Sequence, residues 1–507
     1  MSHFILPILV FSPLVGLLLL LFIKSHKERA IKIVGIVGTL PALLISIYLY
    51  IQFNTGEKLT QFDIQLDWFR FGNFKEYDPN LYAVRFELGV DGLSLVMLML
   101  TSLLCTLAAI ASMQIKKEWK GYFLLFFTLQ IGMLGVFAAE NLILFFLFFE
   151  LTLIPMFFLI GKWGYEKSEK AAYSFLIYNG LGSAVLLIVI MILFAKTGTS
   201  NIAVLQQVIP NGGVTLIANI SPELKFGLLI ALLIAFGVKL PFFPLHTWML
   251  KVHVQAPPSI VMLHAGVLLK IGAFGLIRFG IGIFPEQFNN LAAFIIVIGL
   301  INLLFGAFLA MVQTDFKMVL AYSSISHMGI VLIGLGSQNE AGMQGAIFQV
   351  VSHGLIAALL FFLVGLLYER TKTTELSELG GMAKSVPVIS GFLLAGGLAS
   401  LGLPGMSGFI SEFMAFLGVF EQFPLFGGIG AIGLILTAVY ILRAVLAITF
   451  GESKNKAFYS LADVKGVEWT PLVVLLGLII LIGVYPAVLQ APLHDTINTI
   501  LMSWGGG

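Results

Sequence analysis

Residues 225–249 read KFGLLIALLIAFGVKLPFFPLHTWM, an apolar run with Lys239 inside it and Pro241 and Pro244 just beyond the lysine. The run is long enough to cross a bilayer, because a helix rises about 1.5 Å per residue and needs about 20 residues to span the hydrocarbon. A lysine at that depth costs about 2.5–3.5 kcal/mol on insertion scales. Prolines remove helical hydrogen bonds, and the carbonyls they free must be satisfied by protein or water because lipid offers no donors. Residues 225–249 therefore read as an interrupted membrane helix beside a polar interior.

The rest of the 507-residue chain has the same character, with 59% hydrophobic and 11% charged residues and a mean hydropathy of +1.01. Average soluble domains carry about 25% charge, so a soluble globule is excluded. Apolar runs fall near 4–23, 31–51, 90–112, 121–138, 142–161, 171–195, 225–249, 259–282, 289–311, 318–336, 343–368, 387–420, 427–450 and 470–490. The expected fold is an all-α multi-pass membrane protein of about 14 transmembrane helices. The first run is expected to be a membrane span and not a signal peptide, since Lys24, Lys27 and Arg29 follow it instead of preceding it. The net charge of +2 and the lack of a basic tract speak against nucleic acid. The single Cys105 rules out an intrachain disulfide, a Cys-ligated iron–sulfur cluster or a Cys-based zinc site.

Eighteen Lys and Arg residues fall in the odd-numbered loops and seven in the even loops and ends, which predicts an even number of spans with both termini outside. The outer segment 52–89 is expected to form a small ordered cap, and 196–224 a loop between spans six and seven. Five charges remain within spans: Glu150, Lys239, Lys270, Glu412 and Arg443. Arg443 keeps its proton and stands apart from any irregularity, which suits a structural or snorkelling role. The other four are candidate proton carriers. Buried lysine gives up its charge readily and a nearby carboxylate restores it, so Glu150 close to Lys239 would make a switchable site. His246 and His253 flank the inner end of span seven, and His264, His327 and His353 lie in spans eight, ten and eleven. Histidine relays protons near neutral pH, and His246, His264, His327 and His353 extend the candidate path. No histidine pair has the i, i+3 or i, i+4 spacing of a helical metal site.

A second interruption, Leu403-Pro404-Gly405-Met406-Ser407-Gly408, lies in span twelve. The two breaks occupy the fourth helix of successive five-helix units, spans 4–8 and 9–13, and an odd-numbered unit inverts when repeated. Breaks at corresponding places in inverted repeats mark ion sites of transporters, here at Pro241, Pro244, Pro404, Gly405 and Gly408. The expected segments are 1–120, with three helices and the outer loop; 121–285 and 286–451, the two repeats; and 452–507, with the last helix and tail.

Several strings resemble the antiporter-like membrane subunits of respiratory complex I and of Mrp-type sodium/proton antiporters. They are Gly89-Val90-Asp91-Gly92-Leu93-Ser94, Lys239-Leu240-Pro241 with Pro244-Leu245-His246-Thr247-Trp248, Ala256-Pro257-Pro258-Ser259, Ala321-Tyr322-Ser323-Ser324-Ile325-Ser326-His327-Met328-Gly329, and Ser352-His353-Gly354. The resemblance runs nearly the whole chain. It implies that Glu150 and Lys239 are an inlet-side pair, Lys270 a central relay and Glu412 the outlet group. A glutamate in span twelve, where most relatives carry lysine, is the pattern of one subunit type of a proton-pumping NADH:quinone oxidoreductase. Another subunit type carries a long lateral helix at the end, and the stretch from Gln490 to Gly507 is too short for one. NADH, FMN, iron–sulfur clusters and quinone are then expected in partner subunits, with no cofactor or metal in this chain. The implied partners are further antiporter-like subunits, small hydrophobic subunits and the lipid of a bacterial cytoplasmic membrane. The alternatives are an antiporter-like subunit of an Mrp-type Na⁺/H⁺ antiporter, or a membrane-arm subunit of a related hydrogenase or ferredoxin-dependent complex.

Overall fold

The computed structural model describes residues 4–56, 59–72, 81–210, 220–453 and 455–503. Four short helices open the chain: α1 (Ile5–Phe11), α2 (Pro13–Phe22), α3 (Glu28–Val37) and α4 (Leu40–Gln52). Pro13 bends α1 against α2 by 43°, because its ring clashes with the preceding turn. An antiparallel hairpin follows, β1 (Gln61–Arg70) with β2 (Ala83–Val90), pairing Gln65 with Glu87 and Asp67 with Arg85. This hairpin is the ordered cap expected over 52–89 and, among the described residues, the one sheet in an otherwise helical chain; Tyr77 and Asp78 lie outside the described residues.

The first five-helix unit follows α5 (Gly92–Ala111) and comprises α6 (Trp119–Ala138), α7 (Leu142–Trp163), α8 (Ser168–Thr197), the pair α10 (Pro222–Lys239) and α11 (Thr247–Gln255), and the bent rod α12 (Pro258–Leu263) and α13 (Lys270–Gly275). The expected loop after span six holds a short helix, α9 (Ile202–Val208). A small helix, α14 (Pro285–Asn290), leads to the second unit: α15 (Ala292–Val312), α16 (Phe316–Gly336), α17 (Glu340–Thr371), the turn α18 (Met382–Ser385), the pair α19 (Pro387–Ser400) and α20 (Ser407–Gln422), and α21 (Pro424–Thr449). The chain ends with α22 (Trp469–Val484) and α23 (Ala487–Ser503). The tail expected after the last span is thus a further helix, and Gly92 N donates to its Thr496 Oγ1 at 3.0 Å.

Among the described residues, eleven helices are long and apolar enough to cross a membrane, or twelve with the bent α1–α2 pair. The pairs α10/α11 and α19/α20, split where the sequence places its breaks, are not among them: α10 carries Glu223, Lys225 and Lys239 within its 18 residues, and α19 and α20 are shorter, with 14 and 16. The expected fourteen counts each split pair as one span, whereas length and composition give eleven or twelve. Start signals are local: Asp91, Asn141, Asp315 and Asn339 accept hydrogen bonds from the first turns of α5, α7, α16 and α17. The two units repeat a fine detail. Asn141 bridges to Asn201 and Asp315 to Glu375, and the side-chain bonds beside them, Asn141 to Ser200 and Thr374 to Asp315, both join residues 59 apart.

The rod Pro258–Ile281 and helix α17 are buried on every face, whereas α4, α8, α21 and α22 turn most of their surface outward. Small residues let α15 and α16 approach closely: a Cβ on Gly299 would lie 2.7 Å from Gly329 O, and one on Gly329 would lie 2.4 Å from Gly299 O. This pairing fixes His327, just before Gly329 on α16, in the middle of the molecule.

Candidate functional site

Lys239 ends α10, where the chain leaves the helix. Leu240 N still reaches Phe236 O, Trp248 Nε1 caps the freed Val238 O at 3.1 Å, and Phe243 N donates to Asn302 Oδ1 of α15 at 2.7 Å. The orphaned backbone groups of the break are thus satisfied by protein, as lipid requires. The Lys239 ammonium lies 4.7 Å from the ring centre of Phe149 and 5.7 Å from that of Phe175. Its expected partner Glu150 is next in sequence to Phe149, yet no ion pair within 4 Å joins them among the described residues, and Glu150 Oε1 has no hydrogen-bond partner. The structure therefore places the two groups near each other without a direct ion pair.

Lys270 is fully buried on the central rod, between two π-helical stretches, His264–Leu268 and Leu276–Ile281. Extra residues in a helical turn often mark functional positions, because they rotate side chains off the regular face. The Lys270 ammonium lies 2.7 Å from His353 Nδ1 and 3.6 Å from Met328 Sδ. His353 Nε2 meets Ser324 Oγ at 3.2 Å, and the rings of His353 and His327 are 5.4 Å apart. His327 Nε2 is 3.0 Å from Ser400 O, the last residue before the second break, and 3.6 Å from Glu412 Oε1. A small cavity between His327, Ser352, His353, Ser400 and Glu412 has room for about one water. Four of the expected residues, Lys270, His353, His327 and Glu412, therefore form one buried line.

The second break supplies its end. Gly402 (φ +77) and Gly405 (φ +91) turn the chain through the left-handed region, and a Cβ on Gly402 would lie 2.5 Å from Glu412 Oε2. Gly408 lies against Ala399, where a Cβ would come 2.2 Å from the carbonyl oxygen.

Two histidines are placed otherwise. His264 Nδ1 contacts His253 Nε2 at 2.9 Å, with its ring against Trp248 and Phe175. His246 packs between Phe243 and Phe305, and its Nδ1 has no partner. His246 thus lines the break and stands off the Lys270–Glu412 line. Arg443 is exposed and donates to Gln313 O at 2.6 Å, in keeping with a structural role.

Sequence reading missed several other buried charges. Arg278, one of the seven basic residues counted in the even loops and ends, is buried and pairs with Asp91 Oδ2 at 2.6 Å and Glu140 Oε1 at 2.9 Å, with Glu87 close by. The signal available was Asp91 inside one of the quoted strings; its partners are far apart in sequence. Lys317 is also buried, over the rings of Tyr165 and Tyr368 at 3.7 and 4.5 Å. Among the described residues no group of three or more His, Cys, Asp or Glu is placed to hold a metal ion.

Interrupted helices in paired units, with buried lysines, histidines and a glutamate between them, define an antiporter-like membrane subunit. The family described as NADH:quinone oxidoreductase/Mrp antiporter, TM, matches residues 139–439, and the chain belongs to it. It is 35% identical over 99% of both chains to NADH-quinone oxidoreductase subunit M of Rickettsia felis. It is 34% identical to NADH-ubiquinone oxidoreductase chain 4 of Arabidopsis thaliana, over 98% of this chain and 97% of the other. A chain of respiratory complex I from Thermus thermophilus superposes with a TM-score of 0.86 over 100% of both chains, at 28% identity. A chain of the Mrp complex from Dietzia shares the fold, with a TM-score of 0.81 at 19% identity over 97% of this chain and 99% of the other.

Proposed function

We propose that this complex I-type, antiporter-like subunit carries protons across the membrane by way of Glu150, Lys239, Lys270 and Glu412, driven by redox chemistry in partner subunits. The observation that carries the reading is the buried line Lys270–His353–His327–Glu412, whose closest steps are 2.7 and 3.6 Å. An uncompensated lysine in this setting has no packing rationale, since an apolar residue of equal volume costs far less to bury. Movement of Glu150 toward Lys239 would hold a proton on the lysine, and separation would release it toward Lys270. His264 sits against the Phe175 ring that Lys239 also faces, His353 and His327 bridge onward, and Glu412 delivers to the outlet. Pumping against the membrane potential costs about 2.3 kcal/mol per charge per 100 mV, so the gap at Glu150 acts as a gate.

The units are 121–285 and 286–451, with 1–120 in front and 452–507 behind. Electron transfer belongs to partner subunits carrying FMN, iron–sulfur clusters and quinone sites; this chain contributes one buried thiol, Cys105. The partners within the membrane are further antiporter-like and small hydrophobic subunits. The loop charges put both termini outside the bacterial cytoplasmic membrane, so the hairpin face is external and the Lys317 face internal. Glu150→Ala and Lys239→Ala are expected to abolish NADH-driven proton uptake by inverted vesicles while the complex still assembles; full uptake in either would overturn the path. Acidification that requires Na⁺ but no NADH would instead mark an Mrp-type exchanger.

A further inference from the structure

The string Gly89-Val90-Asp91-Gly92 has no part in the proposed path, yet it leads into a buried cluster of four charged side chains. Asp91 at the start of α5, Glu140 ahead of α7, Glu87 on β2 and Arg278 on the central rod are all at most 9% exposed. Arg278 bonds Asp91 and Glu140, and its Nη2 also donates to Ser94 Oγ at 3.2 Å. Glu87 takes bonds from Gln65, Asn141 and Asn201. Glu140 is also a backbone joint: its N–H donates to Glu87 O and its carbonyl accepts from Ile202 N, both at 3.0 Å. The joint therefore ties the hairpin and α9 to the start of α7, the helix that carries Glu150.

Three carboxylates face one guanidinium here, so full ionisation would leave uncompensated negative charge in a buried place, and such charge is shed by taking up a proton. The guanidinium does not use all its donors to offset that charge, since the buried Nε of Arg278 has no hydrogen-bond partner. We propose that Glu140 is a proton-binding site on the hairpin face, separate from the Lys270–Glu412 line, and that its occupancy sets how firmly the start of α7 is held. Burial, the largest cause, together with the charges of Asp91, Glu87 and Asp63, raises the Glu140 carboxyl to about 7 against the pull of Arg278. Below that pH Glu140 is neutral and keeps its bond to Arg278. Above it, the carboxylate faces Asp91 on α5, Glu87 on β2 and Asp63 on β1, and the joint loosens. With the hairpin face outside, as the loop charges indicate, acid accumulated there would tighten the support of α7.

The test uses the whole purified complex and two readouts that do not depend on pumping. Infrared titration of the parent is expected to contain a protonated-carboxyl band that fades with a midpoint of about 7 and is missing from Glu140→Gln. Amide exchange over residues 141–145, corrected for the intrinsic rate, is expected to lose protection through the same midpoint in the parent and to be independent of pH in Glu140→Gln. Glu87→Gln leaves both Arg278 bonds in place and removes one repelling charge, so the band's midpoint moves to lower pH; this arm decides the matter if Glu140→Gln does not assemble. A titration unchanged by Glu140→Gln, or by Glu87→Gln where only that variant assembles, overturns the proposal.

Discussion

At the level of single residues, the candidate path depends on groups whose chemistry is ordinary and whose placement is not. Gly402 shows this most simply. Its φ of +77° and the 2.5 Å a Cβ would leave to Glu412 Oε2 make alanine doubly unsuitable. Gly402→Ala is expected to destabilise the subunit by about 1–2 kcal/mol, the cost of a left-handed L-residue, and to displace Glu412, so proton uptake by vesicles falls while thermal denaturation shifts only modestly. Substitution of Glu412 separates charge from volume. Glu412→Lys retains a titratable group and should keep more pumping than Glu412→Ala; equal and complete activity of parent and both variants would take α20 off the path. His353→Ala removes the partner 2.7 Å from the Lys270 ammonium and is expected to stop proton uptake, which His353→Gln would not restore because an amide does not titrate.

The next scale is that of helices, where the sequence was informative in some places and silent in others. The two breaks were legible because proline and glycine act on their own backbone: α10 ends at Lys239 and α19 at Ser400, each within four residues before Pro241 or Pro404. What satisfies a break was not legible, since Asn302 on α15 reaches Phe243 N–H from 59 residues away. Asn302→Leu, of similar size but without the acceptor, leaves that N–H unpaired and is expected to cost about 1–3 kcal/mol, read as a lower denaturation temperature of the complex. The hairpin's strands and α23 escaped notice for a related reason. A hydropathy window registers length and apolarity, whereas β1 is recognised by its pairing with β2 and α23 by its seat on Gly92, where even a Cβ would strike Pro492 O. The same logic hid Arg278: a charge near a helix end reads as solvated until the carboxylates of Asp91 and Glu140 are brought to it by folding.

For the molecule as a whole, charge asymmetry between loops carries the orientation, and one cysteine makes it testable. Cys105 is fully buried, so it is a poor target for a polar maleimide, and a cysteine introduced in a loop would supply the signal. Thr55 precedes the hairpin and Glu452 follows α21, and both are exposed. Thr55 lies beside Gly56, whose N–H donates to Asp495 Oδ2 near the C-terminus at 2.6 Å, so a label there reports on the terminal face as well. Glu452 lies among Lys454, Lys456 and Lys465, one of the basic loops that the positive-inside rule assigns to the cytoplasm. A membrane-impermeant maleimide added to intact spheroplasts is expected to modify Thr55→Cys and leave Glu452→Cys unmodified, with the pattern reversed in inverted vesicles. The opposite result would turn the molecule over in the membrane. Glu140 would then face the cytoplasm, and acid accumulated outside the cell would no longer tighten the start of α7.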